Sequence, residues 1–176
     1  MIRRREWGTF TLLPVKRKFE NPAARIFIHQ TATSPCRNLD HCKARVRQIQ
    51  ENDAIVLNHP DITFHFLIGG DGYVYEGLGW DTAGDHTSHY PFALGIAFIG
   101  QFERNRPSEI AWRALNNLIQ CGTHHGKLQN LYSVHSHKDV SCTSCPGEAL
   151  HKRLKGLKGY NRFPLPYMDM CRHRGK

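Results

Sequence analysis

The strongest limit on the fold of this chain is its series of short apolar runs, each too brief for a helix, alternating with longer stretches of helical periodicity. Arg25-Ile26-Phe27-Ile28-His29 is β-branched and apolar and reads as a buried strand. Ile62–Ile68 reads as a second strand, ending at Gly69-Gly70-Asp71-Gly72, and Tyr73–Glu76 as a third, so the glycine-rich turn between them predicts a hairpin. Leu94–Ile99 and Tyr132–His137 complete the strand set. Between them, Asp40–Glu51 places Val46 and Ile49 among charges and predicts an exposed helix. Ser108 is placed to cap a helix with the apolar stripe Ile110, Ala111, Ala114, Leu115, Leu118 and Ile119, with Gly122 just past its end. A last helix is expected over Glu148–Leu157, with Ala149, Leu150, Leu154 and Leu157 inward. Interleaved elements predict a mixed α/β fold: a central, mostly parallel β-sheet packed by about three α-helices. Residues 1–158 are expected to form this single domain, and residues 159–176 an irregular, basic, proline-containing tail.

Charge and cysteine usage narrow the partners. Lys plus Arg number 24 against 15 Asp plus Glu, a net +9, and the basic residues crowd the two ends of the chain. Nucleic acid, acidic membrane and bacterial cell wall all suit that charge, as does plain solubility. No zinc-finger spacing or RNP-like aromatic run accompanies it, so no nucleic-acid partner is expected. No stretch approaches the ~18 consecutive apolar residues of a membrane-crossing helix. The opening MIRRREWGTF lacks the apolar core of a leader peptide. Cys36 and Cys42 close a small loop that suits a disulfide in an oxidising compartment, so a secreted domain is expected, with any leader lying outside this chain.

The chemistry concentrates at three positions. His29 ends the first strand, where a side chain emerges at the carboxyl edge of a sheet and ligands commonly bind. His135 and His137 alternate along the last strand and share a face. Cys145 directly precedes Pro146-Gly147 at a loop-to-helix junction, where the helix dipole favours a thiolate. Two imidazoles and one thiolate match the three protein ligands of a catalytic zinc site. The alternative is a disulfide from Cys145 to Cys142 or Cys171, which leaves both histidines as surface groups. Cys142 has three open roles: free thiol, substitute ligand or partner of Cys171. Cys121 reads as a structural residue on a buried helix.

Several segments, in order, resemble the peptidoglycan recognition protein family, itself related to the phage-type zinc N-acetylmuramoyl-L-alanine amidases. They are EWG near the start, the strand ending in His29 before Thr31-Ala32, the Cys36/Cys42 pair, DITFHFLIGGDGYVYEGLGW (61–80), LGIAFIGQF (94–102) and HKDVSCTSCPGEAL (137–150). The likeness runs from about Arg5 to Leu157. It implies a secreted, antibacterial, innate-immunity-type protein that binds muramyl peptides of bacterial peptidoglycan. It implies Zn2+ on His29, His137 and Cys145, with Thr143 near the metal, and hydrolysis of the amide joining N-acetylmuramic acid to L-alanine. The resemblance also places Thr31, Trp80, Asp81, Thr82, His86, His89 and Tyr90 at the ligand groove.

The chain departs from that pattern in four places, one of them the Asp81-Thr82 pair after Trp80, which matches neither of the family's familiar pairs. Phe64 stands where catalytic members have a tyrosine, so one donor to the developing oxyanion is missing. Gly77-Leu78-Gly79-Trp80 replaces a Gly-Arg-Gly-Trp, and the loop Ser88–Phe92 lacks an arginine. Recognition without cleavage is therefore the alternative function.

Overall fold

The computed structural model describes residues 1–8, 17–19, 22–163 and 165. Its elements are α1 (Arg4–Trp7), β1 (Ala23–Gln30), α2 (Leu39–Glu51), β2 (Phe66–Ile68), β3 (Val74–Glu76), β4 (Leu94–Phe98), α3 (Glu109–His124), β5 (Leu128–Ser136) and α4 (Glu148–Leu154). The strands form one sheet in the order β3-β2-β4-β1-β5. β1 is parallel to both β4 and β5, β2 is parallel to β4, and only the β2–β3 hairpin is antiparallel. The mixed, mostly parallel α/β expectation holds, with the single turn of α1 added to the three longer helices.

Parallel strands are covered on both faces, which explains why the central runs are almost continuously apolar. One face presents Ile26, Ile28, Phe66, Ile68, Ile96, Phe98 and Val134 to Ala111, Leu115, Leu118 and Ile119 of α3 and to Leu150 and Leu154 of α4. On the other face, Leu67 and Tyr75 pack with Val46 and Ile49 of α2 and Trp7 of α1. The Cys36–Cys42 disulfide lies in this second cluster and ties the loop after β1 to α2. Above β1, Phe27 packs instead with Ala93 and Val140, which belong to connecting segments. That part of the sheet is covered by connecting segments, among them those carrying Tyr90, Ala93 and Val140.

Several boundaries differ from expectation for local reasons. The strand proper begins only at Phe66, although His65 N–H already donates to Gly95 O of β4; the amides at the start of the expected run are taken by carboxylates. Ile62 N–H donates to Asp61 Oδ1 (2.6 Å) and Thr63 N–H to Asp53 Oδ2 (2.9 Å). β5 starts earlier than expected, at Leu128, and His137 opens a 3-10 turn (His137–Asp139) just past its end. α4 stops at Leu154. Ser108 does cap α3, accepting from Ala111 N–H at 3.3 Å, but Gly122 lies inside that helix. The left-handed backbone falls at Gly126 (φ +64°) instead. Gly122 is needed for space: a Cβ there would lie 2.8 Å from the Trp80 ring. Cys121, expected to be buried, is free and exposed on α3. Past α4, Val134 N–H donates to Gly159 O (2.9 Å) and Asn161 N–H to Val134 O (2.8 Å), against the β5 edge.

His65 is a structural histidine of this framework. Its backbone N–H donates to Gly95 O (2.9 Å) while Gly95 N–H donates to its ring Nδ1 (3.0 Å). Its ring meets Phe19 edge-on at 5.4 Å. Burial holds its pKa well below the ordinary value of 6.5. The unfolded chain thus binds a proton below about pH 6.5 that the folded chain refuses, so stability present above that pH is lost as pH falls.

Two measurements follow from this packing. Gly122→Val should cost about 1–3 kcal/mol by forcing a branched side chain against Trp80. Cys121→Ala should stay within about 0.5 kcal/mol of the parent; both are read from urea midpoints at pH 7. His65→Asn keeps an acceptor for Gly95 but does not titrate. It should flatten the loss of stability as pH falls below about 6.5, read as a shallower slope of urea midpoint against pH than in the parent. Identical pH slopes for parent and variant would remove His65 as the cause.

Candidate metal centre

His29, His137 and Cys145 come from three separate elements and converge. His29 is the penultimate residue of β1 and pairs with Ala97 of β4, so the sheet register sets its side chain. His137 directly follows β5, and its ring centroid lies 4.6 Å from that of His29. Cys145 Sγ is 3.7 Å from His29 Nδ1. One ligand atom from each of the three lies within 4.8 Å of the others, the grouping among the described residues that could hold a metal ion. Ligands on a tetrahedral zinc with one nitrogen and one sulfur bond lie roughly 3.5 Å apart, so the His29–Cys145 spacing fits.

Each ligand is braced. Gln30 N–H points at Cys145 Sγ (3.4 Å), and Thr143 Oγ1 accepts from Cys145 N–H (3.1 Å), fixing the turn that carries the sulfur. The turn at His137 is held by Asp139, which accepts from Ser136 N–H (2.7 Å) and from the Tyr160 hydroxyl (2.9 Å). Ser136 Oγ also meets His151 Nδ1 at 2.8 Å. On the far side of His29, Nε2 faces His86 Nδ1 and Thr87 Oγ1, each at 3.2 Å.

Electrostatics suit a cation. Burial, with His86, His137 and His65 nearby, holds the His29 pKa well below its usual value. Burial alone lowers that of His137. Both rings are therefore neutral at pH 7 and offer lone pairs. The Cys145 thiol is pushed up to about 11 by burial, against a smaller opposing effect of the Gln30 amide. That corrects the thiolate expected from a helix dipole: α4 begins three residues later, at Glu148, and desolvation wins. A coordinated cation reverses the balance, since a ligating thiol is deprotonated outright.

The other predicted site residues divide into two groups. Phe64 stands beside the trio, its ring 5.3 Å from His29. His86 is buried above β4, where glycine makes room: a Cβ on Gly95 would lie 2.3 Å from its ring. Tyr90 packs on Phe27 at 4.9 Å, and His89 is exposed on the same loop with φ +67°. Thr31 fastens the loop after β1, accepting from Gly100 N–H (3.0 Å) and meeting Thr33 Oγ1 (2.8 Å). By contrast, Trp80 lies on the α3 face, packed on Phe66 at 4.5 Å and over Gly122. Asp81 pairs with Lys127 (2.6 Å), and Thr82 bridges Lys18. Trp80 thus packs on the α3 side of the sheet, with Asp81 and Thr82 held in the segment that follows it.

Cys142 is disulfide-bonded, which removes the free-thiol and substitute-ligand roles, and Cys145 is free. Cys171, the partner considered for Cys142, lies outside the described residues. Thr87, Gln30 and Gly95 join the site without having stood out in the sequence. The one available signal is a glycine in the middle of the apolar strand LGIAFI, which marks a close approach of another group.

Residues 19–148 match the family model described as N-acetylmuramoyl-L-alanine amidase. Peptidoglycan recognition protein 1 of Mus musculus is 38% identical over 142 residues, covering 80% of this chain and 78% of the relative. Peptidoglycan-recognition protein 1 of Holotrichia diomphalia is 35% identical over 165 residues, covering 93% and 83%. Among solved structures, human PGRP-IBETAC in complex with glycosamyl muramyl pentapeptide superposes with a TM-score of 0.86 at 35% identity, covering 90% of this chain and 96% of that one. Peptidoglycan recognition protein-LE in complex with tracheal cytotoxin gives a TM-score of 0.90 at 28% identity, covering 93% and 96%. With most of its length matched in sequence and in fold, this chain belongs to the peptidoglycan recognition protein family.

Proposed function

We propose that this chain binds bacterial peptidoglycan in the loop-covered region over β1, and that zinc held by His29, His137 and Cys145 supports slow hydrolysis of the N-acetylmuramoyl-L-alanine amide. The observation that carries the reading is the convergence of the three ligands, with neutral imidazoles and an unbridged sulfur. Support for the substrate comes from relatives whose structures hold a muramyl pentapeptide or tracheal cytotoxin. The net charge of +9 suits an anionic wall, and the Cys36–Cys42 disulfide suits a secreted protein.

Zinc, when bound, polarises an amide carbonyl and makes a water acidic enough to attack near neutral pH. The chain's own groups do the rest. Thr143 accepts from Cys145 N–H, which leaves its hydroxyl hydrogen to donate to the amide oxygen. Phe64 lines the site beside His29 but donates nothing. A missing oxyanion donor costs about 10²–10³ in rate, so metal binding and turnover separate in this chain. Phe64 is also the observation that favours the second reading, recognition without cleavage.

The test joins metal content to product. Purified protein should carry about one zinc by elemental analysis, and Cys145→Ser should lose it. Both should sediment with insoluble peptidoglycan. Zinc-loaded parent should slowly release stem peptides bearing a free N-terminal alanine, and Phe64→Tyr should raise that rate by about 10²-fold. No free alanine from either protein leaves recognition alone, and failure to sediment with peptidoglycan overturns both readings.

A further inference from the structure

The groups behind His29 form a chain in which each hydrogen position is dictated by the next. It ends on a backbone carbonyl. His86 Nε2 lies 2.9 Å from Ala93 O, and a carbonyl only accepts, so Nε2 carries the hydrogen. In a neutral imidazole that leaves Nδ1 of His86 as an acceptor. Nδ1 faces Thr87 Oγ1 at 2.8 Å and His29 Nε2 at 3.2 Å. His29 Nε2 must then donate, shared between His86 Nδ1 and Thr87 Oγ1, which is also 3.2 Å away. Its hydrogen placed, the His29 ring has its lone pair on Nδ1, the atom 3.7 Å from Cys145 Sγ.

We propose that His86, assisted by Thr87, is a positioning residue that fixes the ring tautomer of His29 and so aims the Nδ1 lone pair at the metal. The inference rests on the reading that His29, His137 and Cys145 hold zinc. The opposite tautomer puts two lone pairs, on His29 Nε2 and His86 Nδ1, 3.2 Å apart in a buried site. The single Thr87 hydroxyl can serve only one of them, and an unsatisfied buried acceptor is costly. Metal-ligating histidines usually rest on a carboxylate, a carbonyl or water. Here the carbonyl of Ala93 acts at one remove, through a second imidazole.

His86 has no freedom to do otherwise. It is 7% exposed, its ring lies 5.3 Å from that of His65 and 6.2 Å from that of Phe27, and it occupies the space that Gly95 leaves open. A side chain at position 95 displaces it without altering its chemistry, which gives an independent way to break the same contact.

The test reads the tautomer first, in metal-free full-length protein with 15N-labelled histidine. Long-range 1H–15N correlation should show His29 protonated at Nε2 and bare at Nδ1. His86→Leu should mix or reverse that assignment, and His86→Asn, whose Oδ1 replaces Nδ1 as acceptor, should restore it. Zinc affinity, by competition with a chelating dye, should fall about 10- to 100-fold in His86→Leu. Gly95→Ala should fall likewise, while His86→Asn recovers most of the loss; the last result separates positioning from general damage to the fold. A hydrogen on Nδ1 of His29 in the parent, or undiminished zinc affinity in a folded His86→Leu, overturns the proposal. Should His86→Leu not fold, the parent spectrum and the Gly95→Ala affinity decide. A parent that takes no zinc yet shows Nε2–H on His29 removes the metal reading and leaves the tautomer assignment standing.

Discussion

The parallel pairing of β1 on both edges, with β4 and β5, sets everything else in place. A strand held on two sides cannot slip, and its alternation is fixed: Ile26 and Ile28 point into the α3 face, Phe27 and His29 to the other. A shift of one residue would exchange these sets, placing an imidazole in the main core and an isoleucine at the site. The register that packs the apolar core is therefore the register that delivers His29 to the candidate metal centre. The same holds for β5, whose His135 lies against Phe27 and whose continuation brings His137 over His29.

Burial then sets the chemistry. It keeps the imidazoles neutral and the Cys145 thiol protonated, so the trio carries no charge of its own. An uncharged, partly dry donor set with two nitrogens and a sulfur is a place where a divalent cation interacts strongly, because little water screens it. The loops that complete the site have no sheet to hold them and rely on side-chain brackets, Thr143 for the sulfur and Asp139 with Tyr160 for His137, while His86 and Thr87 meet the ring of the sheet-held His29. The Cys36–Cys42 disulfide does the same for the segment just after β1.

Period and residue type carry the strands, the capped helix α3 and the grouping of His29, His137 and Cys145, because each is specified locally or by an ordered motif. What stays hidden depends on which face a residue meets. Trp80, placed at the ligand groove by the resemblance, packs over α3, where Gly122 is small enough to receive it. Gly122 itself resembles a helix stop, and only the packing reveals that it serves space, with the left-handed turn four residues on at Gly126. Thr87 is an ordinary loop threonine until the fold puts its hydroxyl against two imidazoles. Periodicity overextends the second strand because carboxylates of Asp53 and Asp61 compete for its amides, a long-range effect that an apolar pattern does not encode.

Phe64 lies beside the candidate metal centre without taking part in the hydrogen bonds that shape it. Nothing in the bracing of His29, His137 or Cys145 passes through residue 64: their hydrogen bonds run to His86, Thr87, Gln30, Thr143 and the Asp139 turn. Phe64 touches the site only by its ring, packed on His29 and against the α2-side cluster. A hydroxyl there would project from a half-buried ring without being needed by any of those bonds. Phenylalanine at this position is therefore compatible with the fold and with the geometry of the trio. A substitution at residue 64 can therefore alter the polarity of the site without disturbing the hydrogen bonds that hold His29, His137 and Cys145.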